Sequence, residues 1–138
     1  MLRKELTLLM HELIIVNRTI MEEADYSTFM SLCEQDITII SMIASSEQVT
    51  AKQISDILHV PKTTVVTAVD RLEKRGFIIR QVDEMDKRRK YLFLTDSGKE
   101  VNRQHLEYEE KYVSLIAALW NKEDQKKLAK ILQRRRKR

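Results

Sequence analysis

Apolar residues recur along the chain in two rhythms, one helical and one extended, and the changes between them mark out the elements. Leu2, Leu6, Leu9, Leu13, Val16 and Ile20 are spaced alternately by four and three. That heptad-like stripe predicts one helix of about twenty residues. Met10, Ile14 and Ile15 widen it. One wet face cannot bury so much apolar surface alone, so this helix either packs centrally or meets a partner. Asp25, Tyr26, Ser27 and Thr28 read as a break, and Gln35 to Ser45 forms a second helix around Ile37, Ile40 and Ile43.

Thr50 opens a third helix, because its hydroxyl can accept from the N–H of Gln53 while the Gln53 side chain reaches back, the T-x-x-Q capping box. Ile54, Ile57 and Leu58 form its buried face, and His59 and Val60 make a turn. Pro61 stands where a fourth helix begins, a position that tolerates its missing N–H. In that helix Val65, Val69 and Leu72 set the inward stripe. The opposite face carries Thr63, Thr67, Asp70, Arg71 and Lys74, with Lys62, Thr64 and Val66 at its margins. Gly76 then supplies the stop expected of a C-terminal glycine cap.

The rhythm changes at Phe77 to Val82, which reads as a strand, and Tyr91 to Leu94 reads as a second. The polar loop from Asp83 to Lys90 joins them into a hairpin with Lys87, Arg88, Arg89 and Lys90 at its tip. Thr95 can cap a long helix running to about Trp120, and Asn121 starts a last short one with Leu128, Ile131 and Leu132.

Composition narrows the fold. The 138 residues are 43 % apolar but include only 2 Gly and 1 Pro. That supports one domain with a core, and argues against sandwiches, barrels and glycine-rich nucleotide folds, all of which need many turns. The expected class is mainly α: about six helices with a two- or three-stranded β-wing. The single Cys33 rules out an internal disulfide, so a reducing cytoplasm fits best. No stretch is long and apolar enough for a membrane span, and Glu5 and Glu12 within the first apolar stretch do not suit a signal peptide.

Charge gives the middle of the chain a direction. The net charge is +4, yet residues 1–49 carry −5, residues 50–95 carry +4, and the tail Arg134, Arg135, Arg136, Lys137, Arg138 carries +5. A basic block on an acidic or neutral body suggests a polyanion, nucleic acid first, although a solvated charged surface has the same composition. Two helices joined by a tight turn and followed by a basic hairpin match the geometry of duplex DNA. One helix fits the major groove, where Thr63, Thr64 and Thr67 can bond base edges or pack a methyl on thymine. Lys62, Arg71, Lys74 and Lys87 suit phosphates, and Arg88 or Arg89 suits an adjacent minor groove.

Specific residues also carry a family resemblance. Asp86-Lys87-Arg88, five residues, then Leu94-Thr95 matches the D-x-R-x5-L-T wing signature of MarR-type winged-helix regulators, and Gly98 completes the L-T-x-x-G ending. Val49 to Gly76, closing with Asp70-Arg71-Leu72-Glu73-Lys74-Arg75-Gly76-Phe77-Ile78, resembles that family's helix-turn-helix. The resemblance implies an obligate-type homodimer through residues 1–33 and 99–138, with a winged-helix part at 34–98. It implies a repressor on a pseudo-palindromic operator, with Thr63, Thr64 and Thr67 reading bases and Arg88 in the minor groove. It further implies that Asp86 pairs with an arginine and shapes the wing. Two-fold symmetry puts the half-sites about one DNA turn, ~34 Å, apart.

Other chemistry is sparse. His11, His59 and His105 are scattered with no metal-ligand spacing, and no phosphate-binding glycine loop exists, so no metal, cofactor or catalytic centre is expected. Cys33 precedes Glu34 and Asp36, which disfavours a thiolate. Inert packing is therefore its expected role, with redox sensing as the alternative. Met10, Met30, Phe29 and Tyr26 could line an apolar cleft for a small-molecule effector, although such residues at helical spacing are more often plain core. A winged-helix module that binds protein in place of DNA is the remaining rival. It would favour acidic or apolar residues on the outer helix face, where this chain has threonine and lysine.

Overall fold

A computed structural model describes residues 1–137. In chain order these form α1 (Leu2–Glu23), α2 (Ser27–Met30), α3 (Glu34–Ala44), α4 (Ala51–Leu58), α5 (Lys62–Lys74), β1 (Ile78–Val82), β2 (Lys90–Leu94), α6 (Asp96–Ala117) and α7 (Lys122–Arg136). The mainly helical class with a β-hairpin is as expected, with one added helix. The short α2 lies within the stretch read as a break; one turn is too brief for hydrophobic periodicity to register. Among the described residues no helix is long and apolar enough to cross a membrane.

The chain divides into two compact units, Met1–Asp25 with the chain from Glu107 onward, and Tyr26–Leu106, the division falling within α6. In the second unit Ile39, Ile40 and Ile43 of α3, Ile54 of α4, Val65, Val69 and Leu72 of α5, Ile78 and Leu92 of the hairpin, and Val101 of α6 build one buried cluster. The ends of its helices are closed by the groups the sequence offers. Thr50 and Gln53 form the reciprocal capping box at α4, with hydrogen bonds of 2.9 and 3.2 Å. His59 turns the chain by adopting a left-handed φ of 56°. Pro61 stands one step outside α5 as its N-cap, where its carbonyl accepts from the N–H groups of Thr64 and Val65. At the other end of α5, Gly76 N–H donates to the Glu73 carbonyl and Phe77 N–H to the Leu72 carbonyl. This Schellman pattern needs the positive φ of 82° that Gly76 supplies.

Strands β1 and β2 pair antiparallel from Ile78↔Leu94 to Val82↔Lys90. A third strand is reduced to one contact, the Leu92 N–H donating to the Val49 carbonyl at 2.8 Å. The junction into α6 is knotted around Thr95. Its hydroxyl donates to the Gly76 carbonyl at 2.5 Å and accepts from Gly98 N–H at 3.1 Å, while its own N–H donates to the Phe77 carbonyl at 3.1 Å. The L-T-x-x-G ending is therefore a structural joint between hairpin and helix.

The first unit leaves much apolar surface uncovered. In α1, Leu2, Leu6, Leu8, Met10, Ile14 and Ile15 are exposed, as are Val113 and Leu119 around the end of α6 and Ile131 and Leu132 on α7. No described side chain of α7 is fully buried, Gln125 and Leu128 being half-buried. Tyr108 donates its hydroxyl to Asn17, and Lys111 pairs with Glu107 and Glu23. The basic tail continues α7 through Arg136, where cations suit the negative end of the helix dipole; Arg138 lies outside the described residues.

Candidate nucleic-acid interface

Helix α5 divides into a buried stripe, an outward face and two flanks. At about 100° per residue, Val65, Val69 and Leu72 turn inward, leaving Thr63, Thr67 and Lys74 pointing directly away. All three are exposed, as is Lys62, whereas Thr64 is half-buried. Asp70 and Glu73 stand on the flank toward the hairpin. Arg71 stands on the opposite flank.

That position changes the role of Arg71. It was expected among the cations offered to a polyanion, but its Nη2 and Nε donate to the two carboxylate oxygens of Asp36 at 2.6 and 3.2 Å. The Asp36 residue is only 3 % exposed. The hydrogen bonds and charge of Asp36 raise the Arg71 pKa, so the guanidinium is held as the partner of a buried carboxylate. At the end of the same helix Arg75 donates to Ser31 at 2.8 Å and lies over the Phe77 ring.

The hairpin tip is a folded turn with its cations outside. Asp83 N–H donates to the Arg89 carbonyl and Arg89 N–H to the Asp86 carbonyl, each at 2.9 Å. The Asp86 carboxylate accepts from the Arg88 N–H at 3.0 Å and from its Nε at 3.3 Å. Asp86 thus shapes the turn around Arg88, whose side chain is 93 % exposed. Lys87 and Lys90 are exposed too. Arg89 leans on Tyr91, and hydrogen bonding to the Tyr91 hydroxyl raises the pKa of its guanidinium.

Between α5 and the hairpin lies an open groove of about 1040 Å³. Its walls carry Lys52, Lys62, Arg80, Arg88, Arg89 and Lys90 against the acids Asp56, Asp70 and Asp86. It combines a protruding helix with a cationic finger, so a polyanion can be met in two places at once.

Two residues that organise this region are not singled out for that role by the sequence. Asp36 falls on the apolar stripe of α3, at helical spacing from Ile39, Ile40 and Ile43. Arg80 alternates onto the same face of β1 as the buried Ile78. A charge at a core-facing position needs a partner, and that is the signal that could have singled them out.

The remaining candidates separate. Tyr26 and Phe29 are core residues of the second unit, Phe29 stacking near His105 at 5.3 Å between ring centroids. Met30 is exposed in that unit, and Met10 is exposed in the other. A shallow hollow of about 330 Å³ is lined by Ile37, Ser41, Met42 and His105 among others. Cys33 is exposed, which corrects the packed role expected of it: it stands at the N-cap position of α3, before the helix's buried residues begin.

Comparison with known proteins agrees with this geometry. The sequence profile of the MarR family matches residues 34–89. Over 50 residues, 36 % of this chain, the sequence is 38 % identical to the uncharacterized HTH-type transcriptional regulator YybA of Bacillus subtilis (strain 168), and the match spans 33 % of that relative's length. Among solved structures, YusO of Bacillus subtilis superposes with a TM-score of 0.78 at 18 % identity, covering 99 % of this chain and 92 % of that one. FabT of Streptococcus pneumoniae, solved in complex with DNA, superposes with a TM-score of 0.74 at 24 % identity, covering 99 % and 93 %. At these identities the structural likeness is one of fold.

Proposed function

We propose that the chain is a DNA-binding transcriptional regulator of the MarR type acting as a homodimer, a reading supported by the match of residues 34–89 to the MarR family profile and by the fold shared with YusO and FabT. The groove between α5 and the wing carries this reading. Lys62 and Arg88 line it, Thr63 and Thr67 stand exposed on the outer face of the same helix, and together they offer a helix that fits a major groove and a finger that fits the minor groove beside it. Thr64 stands at the rim of the helix contact. Lys74, Lys87 and Arg89 supply phosphate contacts around it. Arg71 contributes through Asp36, by holding α5 in place.

The dimer rests on a separate observation. Most of the large exposed apolar side chains belong to α1, α7 and the C-terminal part of α6, and so many on three helices favour an interface. A two-fold pair of grooves suits a pseudo-palindromic operator, with repression as the mode of action. DNA as target places the protein in the cytoplasm. Response to a small molecule is the remaining part of the proposal, with the hollow beside His105 as its candidate seat.

Arg88→Ala should lower affinity for a bound duplex by roughly 1–3 kcal/mol, about fivefold to 150-fold, and flatten the dependence of log affinity on log salt by about one counterion. A fluorescence-anisotropy titration across salt concentrations measures both. An unchanged affinity would remove Arg88 from the interface.

A further inference from the structure

The groove contains a feature that its cationic character hides. Asp70 and Glu73 both stand on the hairpin flank of α5, and Asp70 lines the groove. Two carboxylates beside a surface meant for phosphates would repel it. Arg80 answers both. Its Nη2 donates to Asp70 at 2.5 Å and its Nη1 to Glu73 at 2.8 Å. The Arg80 side chain is 22 % exposed, while the carboxylates are 54 % and 42 % exposed. The arginine therefore lies beneath two acids that reach toward solvent. It emerges from β1, so the same two bonds tie the wing to the recognition helix.

We infer that Arg80 is a positioning residue for DNA binding, which pins the Asp70 and Glu73 carboxylates at the groove wall and fixes the wing against α5 through them. The inference rests on the DNA-binding reading above. It distinguishes Arg80 from Lys62 and Arg88, which would touch DNA themselves. Without Arg80 the two carboxylates lose the cation that binds them, and their charge is felt by phosphate at full strength. With Arg80 in place, the pair is held and half of its charge is neutralised. The worth of removing the acids must therefore depend on whether Arg80 is present. Simple addition of charges has no such dependence.

The test is a double-mutant cycle read by anisotropy on a mixed-sequence 30-base-pair duplex at low and moderate salt. It uses the full chain, the wild type, Arg80→Gln, Asp70→Asn with Glu73→Gln, and all three changes together. Neutralising the acids should raise affinity by about threefold or less where Arg80 is present, and by about tenfold or more in the Arg80→Gln background. Equal gains in both backgrounds, or no gain in the Arg80→Gln background, would overturn the inference and leave the DNA reading standing. Failure of the wild type to bind the duplex at low salt would overturn both. If thermal melting shows that Arg80→Gln does not fold, Arg80→Lys replaces it. A single ammonium cannot hold two carboxylates in the same fork, so the unequal gains should persist at reduced size, and equal gains would again reject the inference.

Discussion

Gly98→Ala should destabilise the protein by about 3 kcal/mol or more, lowering the melting temperature by roughly 10 °C. A Cβ on Gly98 would stand 2.1 Å from the Phe77 carbonyl oxygen, 3.1 Å from its carbon and 3.3 Å from the Leu94 Cβ. The first two are backbone atoms, so no rotamer change relieves the clash. That same oxygen accepts the Thr95 N–H. Moving it strains the joint in which Thr95 links Gly76, Phe77 and Gly98. Gly76 provides the contrast. An added Cβ there meets nothing within 4 Å, and only the positive φ of 82° penalises it. Gly76→Ala should therefore cost about 1 kcal/mol. Thermal melts of the two variants side by side decide the matter: similar losses would mean that the close approach at Gly98 is not what its position requires.

Arg71→Ala should cost about 3 kcal/mol, because it strands the Asp36 carboxylate, a group almost wholly withdrawn from water. Asp36→Ala should cost less, about 1–2 kcal/mol, since the Arg71 side chain is 47 % exposed and can turn to solvent once released. The order of the two losses follows from which partner is buried. The raised pKa of Arg71 fixes the sign of the pH effect: the pair's contribution is fully present below the ordinary arginine value and is lost only as pH rises through the folded one. Neutral and mildly acid melts should therefore keep the same order. Were Arg71 chiefly a phosphate contact, its alanine variant would melt like the wild type and fail only in DNA titration.

These two cases show where local chemistry speaks and where it falls silent. The α4 cap, the glycine stop of α5 and the hairpin are decided by neighbours in sequence, so Thr50, Gln53 and Gly76 declare them. The cluster of Ile39, Ile40, Val65, Val69 and Leu72 follows from helical spacing in the same way. Arg71 could not be resolved like that. Periodicity places it on the outer face, whereas the fold sets it on the flank toward α3, where Asp36, thirty-five residues away, takes it as partner. Arg80 was obscured because its partners lie on a different element. Helix α2 escaped because a single turn has no period. For the interface itself, the outward threonines and the basic hairpin were legible; the ion pairs that hold them in place were not.

The central claim is that paired α5 helices and wings grip duplex DNA symmetrically. Selection of bound sequences from a pool of random duplexes, using the purified full chain at low ionic strength, tests it most directly. The expected result is an enriched inverted repeat whose half-sites are centred about ten base pairs apart. A pool that shows no enrichment, or a single unrepeated site bound by one chain, would contradict it.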